Sequence, residues 1–177
     1  MAWGQGELVA TPAAVARMAS GVANRGVMRP NRYVMNVSGK KTPLEEGVKI
    51  TKSPHYAELI TGYMIKQSAT KSKRFGLVVA GKTGTPERIL KGERINDGWY
   101  VFFAPNAQGG GHIVTCIRIE NAKGSSQAVK LAGDYVIPLL VKRGYLKGFD
   151  WQEKEKAAAA KKANINVINL NGIDSLQ

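Results

Sequence analysis

The residues of this sequence best suited to chemistry are Lys82, Thr83 and Thr85, which are grouped around Gly84. The apolar run before them, Leu77–Ala80, indicates that the group lies in a β-strand. On an exposed strand edge the lysine supplies positive charge, the hydroxyls can bind a carboxylate, and backbone N–H groups can hold a developing oxyanion. A glycine inside a strand is typical of close approach by a ligand or another backbone. The alternative is an ordinary edge strand whose lysine prevents aggregation.

The segment from Gly76 to Thr83 also satisfies the pattern G-x-x-x-x-G-K-[ST] of a nucleotide-binding phosphate loop. Such a loop needs backbone amides that wrap around phosphates and a helix that begins near the lysine. Leu77–Ala80 favour a strand instead, and Pro86 would break a helix in its first turn. We therefore expect neither a phosphate loop nor a nucleotide partner.

The chain carries a net charge of +13, from 26 lysines and arginines against 13 aspartates and glutamates. The basic residues are dispersed, with small clusters at Lys71–Arg74 and Lys161–Lys162 and no long stripe interleaved with aromatic residues. This pattern favours a solvated basic surface and no nucleic-acid partner. It leaves open an attraction to an anionic polymer or to lipid headgroups.

Cys116 is the single cysteine, and His55 and His112 are the two histidines. This composition excludes an internal disulfide framework and argues against a metal site, so no metal or cofactor is expected. Hydrophobic residues make up 44% of the 177 residues, which is enough for the core of one domain. No run approaches the ~20 apolar residues of a membrane span, and the first five residues lack the features of a signal peptide.

The hydrophobic pattern predicts an α+β fold in which helices cover an antiparallel sheet. Helices are expected over Thr11–Arg25, from Ser53-Pro54 onward, and over Ser125–Val141, where Pro138 should kink the helix or mark its last turn. Strands are expected at Leu77–Thr85, Gly98–Ala104 and His112–Ile119. Arg32–Val37 predicts a short strand, Ser38–Glu46 a charged loop, Gln67–Arg74 a polar link and Gln152–Ala163 an exposed helix.

Several short motifs follow one another along the chain in a specific order. Ala80–Thr85 is followed by Asp97–Pro105, and both are preceded by Gly4-Gln5-Gly6, Thr11-Pro12 and the turn Ala23–Gly26. In order and spacing these motifs resemble the penicillin-binding proteins, serine D,D-transpeptidases whose motif triplet is S-x-x-K, S-x-N and K-T-G. The form is nearer the monofunctional class B enzymes, with Arg25 in place of a commoner glycine. The resemblance runs from about Trp3 to Val141.

The resemblance implies a five-stranded family sheet, of which three strands are visible here, and peptide cross-linking through an acyl-serine intermediate. It implies that Lys82 supports the positive field and that Thr83 and Thr85 bind the carboxylate of a peptidoglycan stem peptide or β-lactam. The Thr85 backbone N–H would be one oxyanion-hole donor, and Gly84 would permit the close approach. A membrane-anchored parent protein in the bacterial periplasm, with partners in cell-wall synthesis, is implied as well.

The nucleophilic half of that machinery is missing from the sequence. Two S-x-x-K matches, Ser38–Lys41 and Ser68–Lys71, lie close before Lys82 and are interpreted as loop serines, and no S-x-N occurs. We interpret residues 1–150 as the C-terminal half of a transpeptidase domain, inactive alone, and residues 151–177 as a charged helical extension and tail. The alternative is a non-catalytic domain that binds peptidoglycan or protein partners. Missing sheet neighbours should leave an exposed edge, through which self-association is expected.

Overall fold

A computed structural model describes residues 9–105 and 111–146 of the chain. Its helices are α1 (Pro12–Ala23), α2 (Pro54–Gln67), α3 (Ala69–Phe75), α4 (Ser125–Leu131) and α5 (Ile137–Lys142), with a π-helical turn at Ala132–Val136 between the last two. Its strands are β1 (Val27–Met28), β2 (Asn36–Val37), β3 (Lys40–Lys41), β4 (Val48–Lys49), β5 (Ala80–Gly84), β6 (Glu87–Leu90), β7 (Glu93–Asn96), β8 (Gly98–Pro105) and β9 (Gly111–Ile119).

The central sheet is antiparallel and has the strand order β5-β8-β9, which confirms the three predicted strands. Val101 of β8 pairs with Lys82 of β5 on one side and with Cys116 of β9 on the other. Because successive side chains of a strand point to opposite faces, Tyr100 and Phe102 lie on one face of the sheet and Val101 on the other. Both faces of β8 are apolar, as expected of a strand that is covered on both sides.

Each face of the sheet packs against its own helices. On one face the buried side chains of Tyr100, Phe102 and Ile117 meet α4 and α5 through Val129 and Ile137. On the opposite face a smaller cluster joins the sheet to α1 and α2, and it consists of Ala23, Ala80 and Phe103 with Val22, Met64, Ile65 and Val114 packed around them. The strand β5 is therefore held between two layers of helix, and the predicted α+β architecture is confirmed.

The first helix begins and ends close to where the sequence predicts. The Thr11 hydroxyl accepts a hydrogen bond from the Ala14 N–H at 3.1 Å, and Pro12 occupies the first turn, where its missing N–H costs nothing. After the helix, Arg25 has φ 55° and Gly26 has φ 88°. A glycine at position 25 would adopt this left-handed conformation with less strain than the arginine does. The Arg25 guanidinium lies 3.3 Å from Glu58 of α2.

The last helical segment covers the predicted residues, and its irregularity lies next to Pro138, where the sequence predicts a disturbance. Helical conformation runs from Ser125 to Lys142, but the π-helical turn divides it, and the Ile137 N–H bonds to the Ala132 carbonyl five residues back. Pro138 follows directly and has no N–H to donate, so the regular bonding pattern cannot pass through this position. The interruption also places Gly133 against the Phe75 ring, where an added Cβ would lie 2.6 Å from Phe75 Cε1.

Three segments for which no helix or strand is predicted contain regular secondary structure. Residues 67–74 were expected to be a polar link, but most of them form α3, which ends at Gly76 in a left-handed cap. Residues 38–46 include β3, which pairs with β2 as a hairpin, and β6 and β7 form a second hairpin that was not predicted. Both turns, Ser38-Gly39 and Lys91-Gly92, have two positive φ angles, which is the geometry that favours tight hairpins.

Two further sequence predictions concern the last residues of the chain and helices that could cross a membrane. The helix expected over residues 152–163 lies outside the described residues. None of the helices in the described part of the chain combines the length and the apolar character that crossing a membrane requires.

Candidate functional site

The four residues singled out from the sequence lie at one edge of the central sheet. Residues 82–84 belong to β5, Thr85 follows it directly, and within the described structure β5 pairs only with β8. Lys82 is exposed, and its Nζ donates to the Thr83 carbonyl oxygen at 2.8 Å. Gly84 pairs with Trp99, so the backbone turns one side toward β8 and presents the other side as an open strand edge.

A groove of about 820 Å³ runs along the sheet face that carries Lys82. One wall is the strand end with its lysine and threonines. The other walls are apolar, and they are formed by Val15, Met18, Ala19 and Val22 of α1, Ile60 and Met64 of α2, and Trp99 and Val101 of β8. Lys82 is the only charged side chain among the described residues that line this groove. The site therefore combines one positive charge and two hydroxyls with a large apolar surface.

The hydroxyl of Thr85 has a structural contact of its own. Its Oγ1 accepts a hydrogen bond from the Ser125 N–H, at 3.2 Å, where α4 begins. A threonine hydroxyl has one hydrogen to donate besides the lone pairs that accept, so this contact leaves the O–H available for a carboxylate. The contact ties the end of β5 to the helix layer on the opposite face from the groove.

A buried serine holds the start of β5. Ser68, at the junction of α2 and α3, is fully buried, and its hydroxyl donates to the Gly81 carbonyl oxygen at 3.1 Å. Tyr100 packs against the same glycine. Burial raises the pKa of Tyr100 to about 12, although the neighbouring Ser68 hydroxyl opposes part of the shift, so the phenol stays neutral at physiological pH.

One of the two S-x-x-K serines, Ser38, lies in a turn as expected, whereas the other occupies a different setting. Ser68 is not a loop serine, because it is buried at a helix junction with its hydroxyl bonded to the strand backbone. Ser38 lies in the turn of the β2–β3 hairpin at φ 49°. The Lys71 ammonium contacts the Gln67 carbonyl oxygen and not the Ser68 hydroxyl. Neither match has the arrangement of a nucleophile with its base.

We expect Ser68→Ala to lower the free energy of unfolding by about 1–3 kcal/mol, because the buried Gly81 carbonyl would lose its donor. Urea denaturation followed by circular dichroism measures this loss. Ser126→Ala is the matched control, since Ser126 is exposed on α4 and should change stability little. Equal stability of the two variants would contradict the anchoring role of Ser68.

An ion cluster that the sequence did not reveal lies at the start of β8. Asp97 is 2% exposed, and its carboxylate accepts hydrogen bonds from Arg88 Nε at 3.0 Å, Arg118 Nη2 at 2.7 Å and the Asn121 N–H at 3.1 Å. Burial alone would raise the pKa of Asp97, but the hydrogen bonds from Arg118, Arg88 and Asn121 outweigh it and lower the pKa below its usual value.

The cluster connects distant parts of the chain to the groove. Arg88 comes from the β6–β7 hairpin and Arg118 from β9, and the Arg118 guanidinium lies 5.6 Å from the centre of the Trp99 ring that lines the groove. Asp97 lies just before β8, and this geometry gives it a structural role. Its arginine partners stand 9 and 21 residues away, so no local pattern could have identified them.

Three other kinds of chemical site do not fit the described residues: a cysteine nucleophile, a phosphate loop and a metal site. Burial raises the pKa of the Cys116 thiol, which makes it a poor nucleophile. The phosphate-loop alternative does not fit, because Gly81 and Lys82 lie inside a strand and Gly76 ends a helix. Among the described residues there is no group of histidine, cysteine and carboxylate side chains that could hold a metal ion.

The fold and the site define an α+β domain with a lysine–threonine strand edge beside an apolar groove. The family model of the penicillin-binding protein transpeptidase domain matches residues 1–137. The chain belongs to this family of transpeptidase domains. A comparison with curated proteins finds no match.

Solved structures support the same assignment. The D,D-transpeptidase domain of a peptidoglycan glycosyltransferase from Eggerthella lenta is 25% identical, with a TM-score of 0.58 over 75% of this chain and 33% of that one. Penicillin-binding protein A from M. tuberculosis, an imipenem acyl-enzyme complex, is 23% identical, with a TM-score of 0.60 over 77% of this chain and 32% of that one. A Helicobacter pylori penicillin-binding protein in complex with MreC is 21% identical, with a TM-score of 0.59 over 81% of this chain and 26% of that one. The chain spans about a third of the length of the first two structures.

Proposed function

We propose that this chain supplies the substrate-binding half of a peptidoglycan D,D-transpeptidase, with residues 82–85 as the strand that receives a stem peptide or a β-lactam. The observation that carries the proposal is the open edge of β5 beside a groove whose only described charge is Lys82. A carboxylate near Lys82 gains a charge-assisted contact, and the hydroxyls of Thr83 and Thr85 add hydrogen bonds.

In this proposal the reacting carbonyl of the substrate lies beside the backbone of Thr85. Its N–H would stabilise the oxyanion that forms as the carbonyl is attacked, and Gly84 would allow the substrate backbone to approach. Loss of one such donor typically costs about 3–4 kcal/mol of transition-state stabilisation. The attacking serine would come from outside this chain, since the Ser68 hydroxyl is committed to Gly81 and Ser38 lies in a hairpin turn.

The apolar walls of the groove support a further part of the proposal. Among the residues of these walls, Met18 of α1 is 60% exposed and Ile60 of α2 is 41% exposed. Exposed apolar surface of this kind marks a site of contact with another segment or protein. We propose that the nucleophile-bearing part of the domain packs there and that the open β5 edge is a second route to association. The proposed reaction uses no cofactor. We propose further that residues 1–150 belong to the domain and that residues 151–177 are an extension beyond it.

Transpeptidase domains of this family are extracytoplasmic in bacteria, and we propose the same location, in a membrane-anchored parent protein.

A second candidate function is that of a non-catalytic domain that binds peptidoglycan or a protein partner. The protein-partner part of this candidate is supported by the Helicobacter pylori structure of similar fold, which is in complex with MreC. Both candidates keep the fold and differ in whether a serine becomes acylated.

Labelling with a fluorescent penicillin tests the proposal. We expect no label on this chain alone, and a covalent label when it is joined in frame to a segment that carries S-x-x-K and S-x-N. Peptide mapping then identifies the acylated serine. Label on Ser38 or Ser68 would overturn the proposal that the nucleophile comes from outside. A folded longer protein that carries both motifs and takes no label would favour the non-catalytic candidate.

A further inference from the structure

A second cavity lies on the side of α1 that faces away from the groove. It has a volume of about 600 Å³ and lies between α1, residues 27–33 and the strand β9. Three arginines line it, Arg17 on α1 and Arg29 and Arg32 on the segment that follows β1. Among the described residues, no acidic side chain lines this cavity. The cavity shares no residue with the groove, so the proposed transpeptidase function gives it no role.

The three arginines of this cavity differ from most other arginines of the fold. Ion pairs hold the guanidinium groups of Arg25, Arg74, Arg88, Arg94 and Arg118. Among the described residues, no carboxylate oxygen lies within 4.0 Å of a guanidinium nitrogen of Arg17, Arg29 or Arg32. In the described part of the chain only one other arginine, Arg143, lacks an ion pair. Arginines without an ion pair are therefore concentrated at one cavity.

Hydrogen bonds to uncharged groups fix these guanidinium groups without neutralising them. Arg17 Nε donates to the Arg29 carbonyl oxygen at 3.0 Å, and Arg29 Nη1 donates to the Glu45 carbonyl oxygen at 3.1 Å. Arg32 Nε donates to the Thr42 hydroxyl oxygen at 3.0 Å. A guanidinium has five N–H donors, so each of the three arginines keeps donors for a ligand.

One acidic residue nearby can offset part of this charge. Glu45 lines a smaller cavity of about 340 Å³, which shares Arg29 and Arg32 with the first. Its carboxylate pairs with neither arginine, and the exposed Glu46 lines neither cavity. Even with Glu45 counted against one arginine, positive charge is left over at the larger cavity.

We propose that this cavity binds a phosphate monoester, with the phosphate at the three arginines and the organic group against Val27, Ile113 and Val114. A phosphate carries about −1.5 to −2 charges at pH 7, which matches the remaining positive charge better than the single charge of a carboxylate. The planar guanidinium fork suits two oxygens of a phosphate at once. Small-molecule sites have volumes of about 300–1,000 Å³, so this cavity leaves space for an organic group beside the phosphate.

Isothermal titration calorimetry tests this proposal on the chain as it stands, with glucose 1-phosphate as the probe. We expect saturable one-to-one binding, and binding of glucuronate, a sugar that carries a carboxylate, at least about fivefold weaker because it has less charge. Arg17→Gln with Arg32→Gln should weaken binding of glucose 1-phosphate at least about tenfold through lost charged hydrogen bonds. Arg143→Gln is the matched control, since it removes the same kind of charge away from the cavity and should leave the affinity unchanged.

A second pair of variants tests the same cavity without removing a hydrogen bond. Ala13 and Ala14 are both exposed in the first turn of α1, but only Ala13 lines the cavity. Ala13→Glu should weaken binding at least about tenfold by placing a negative charge beside the phosphate, whereas Ala14→Glu should not. Thermal unfolding checks that each variant is folded.

Four outcomes of these titrations overturn the proposal: no saturable binding of glucose 1-phosphate, equal affinity for glucuronate, equal weakening by the control and the cavity arginine variants, or full binding by Ala13→Glu. Vesicles that contain phosphatidic acid present the same phosphate group on a lipid. Binding to these vesicles without binding of glucose 1-phosphate would assign the cavity to a lipid headgroup instead.

Discussion

Asp97→Ala is expected to destabilise the fold by about 3 kcal/mol, since it leaves two arginines near a buried position without their carboxylate. The side chains of Arg88 and Arg118 are 29% and 27% exposed, so water compensates part of the loss and places it at the lower end of the range for buried pairs. The contact of the Asn121 N–H would be lost as well. Urea denaturation of the variant and the unaltered chain measures the difference.

Asp134→Ala is the matched control for that experiment. Asp134 pairs with Arg74 at 3.2 Å, but both side chains are more than a third exposed. An exposed pair of this kind contributes at most about 1 kcal/mol. If the two substitutions destabilise the chain equally, the Asp97 cluster is not the anchor that its geometry indicates.

The same cluster makes stability depend on pH with a defined sign. The folded pKa of Asp97 lies below the unfolded value of about 3.9, so the ionised carboxylate stabilises the fold above that pH. The contribution is lost as the pH falls through the folded pKa. Asp97→Asn should therefore differ most from the unaltered chain at neutral pH and least in acid. A difference in stability that grows as the pH falls below 4 would contradict this assignment.

Lys82→Ala is expected to slow acylation by a β-lactam about 10- to 100-fold in the complete domain, because the groove would lose its charged contact to the ligand carboxylate. The rate of fluorescent-penicillin labelling of the longer protein measures this effect. Lys82→Met separates charge from packing, since it keeps much of the stem and removes the ammonium. We expect it to behave like the alanine variant.

Lys71→Ala is the control for the lysine experiment. Lys71 ends the S-x-x-K match that begins at Ser68, and its ammonium contacts only the Gln67 carbonyl among the described residues, at 3.5 Å. Labelling should be unchanged by this substitution. If Lys71→Ala stops labelling while Lys82→Ala does not, the roles proposed for the two lysines are reversed.

Local sequence patterns predicted those helices and strands whose signals lie within a few residues of one another. The Thr11-Pro12 start of α1 is a cap followed by proline, and the three sheet strands are apolar runs between turn residues. The family followed from the order of motifs such as residues 80–85 and 97–105. The hairpin turns at Ser38-Gly39 and Lys91-Gly92 carried only half of the usual local signal, because glycine suits the second turn position whereas the first normally takes asparagine, aspartate or glycine. Of the strands beside these turns, β2 falls within the strand predicted over Arg32–Val37, whereas the polar strands β3, β6 and β7 drew no strand prediction.

Residues 82–85 could be predicted from sequence alone to be an anion-binding strand, because the chemistry behind that prediction lies in four adjacent residues. What surrounds them could not be recognised in this way. The Ser68 hydroxyl that supports Gly81, the Ser125 N–H that holds Thr85, and the arginines that converge on Asp97 all come from distant parts of the chain. Their contacts depend on how the helices and the hairpin pack on the sheet, and packing of that kind leaves no periodic mark in the sequence. The sequence predicted which strand binds, and the tertiary structure decided that, among the described residues, this strand is an open edge beside an apolar groove.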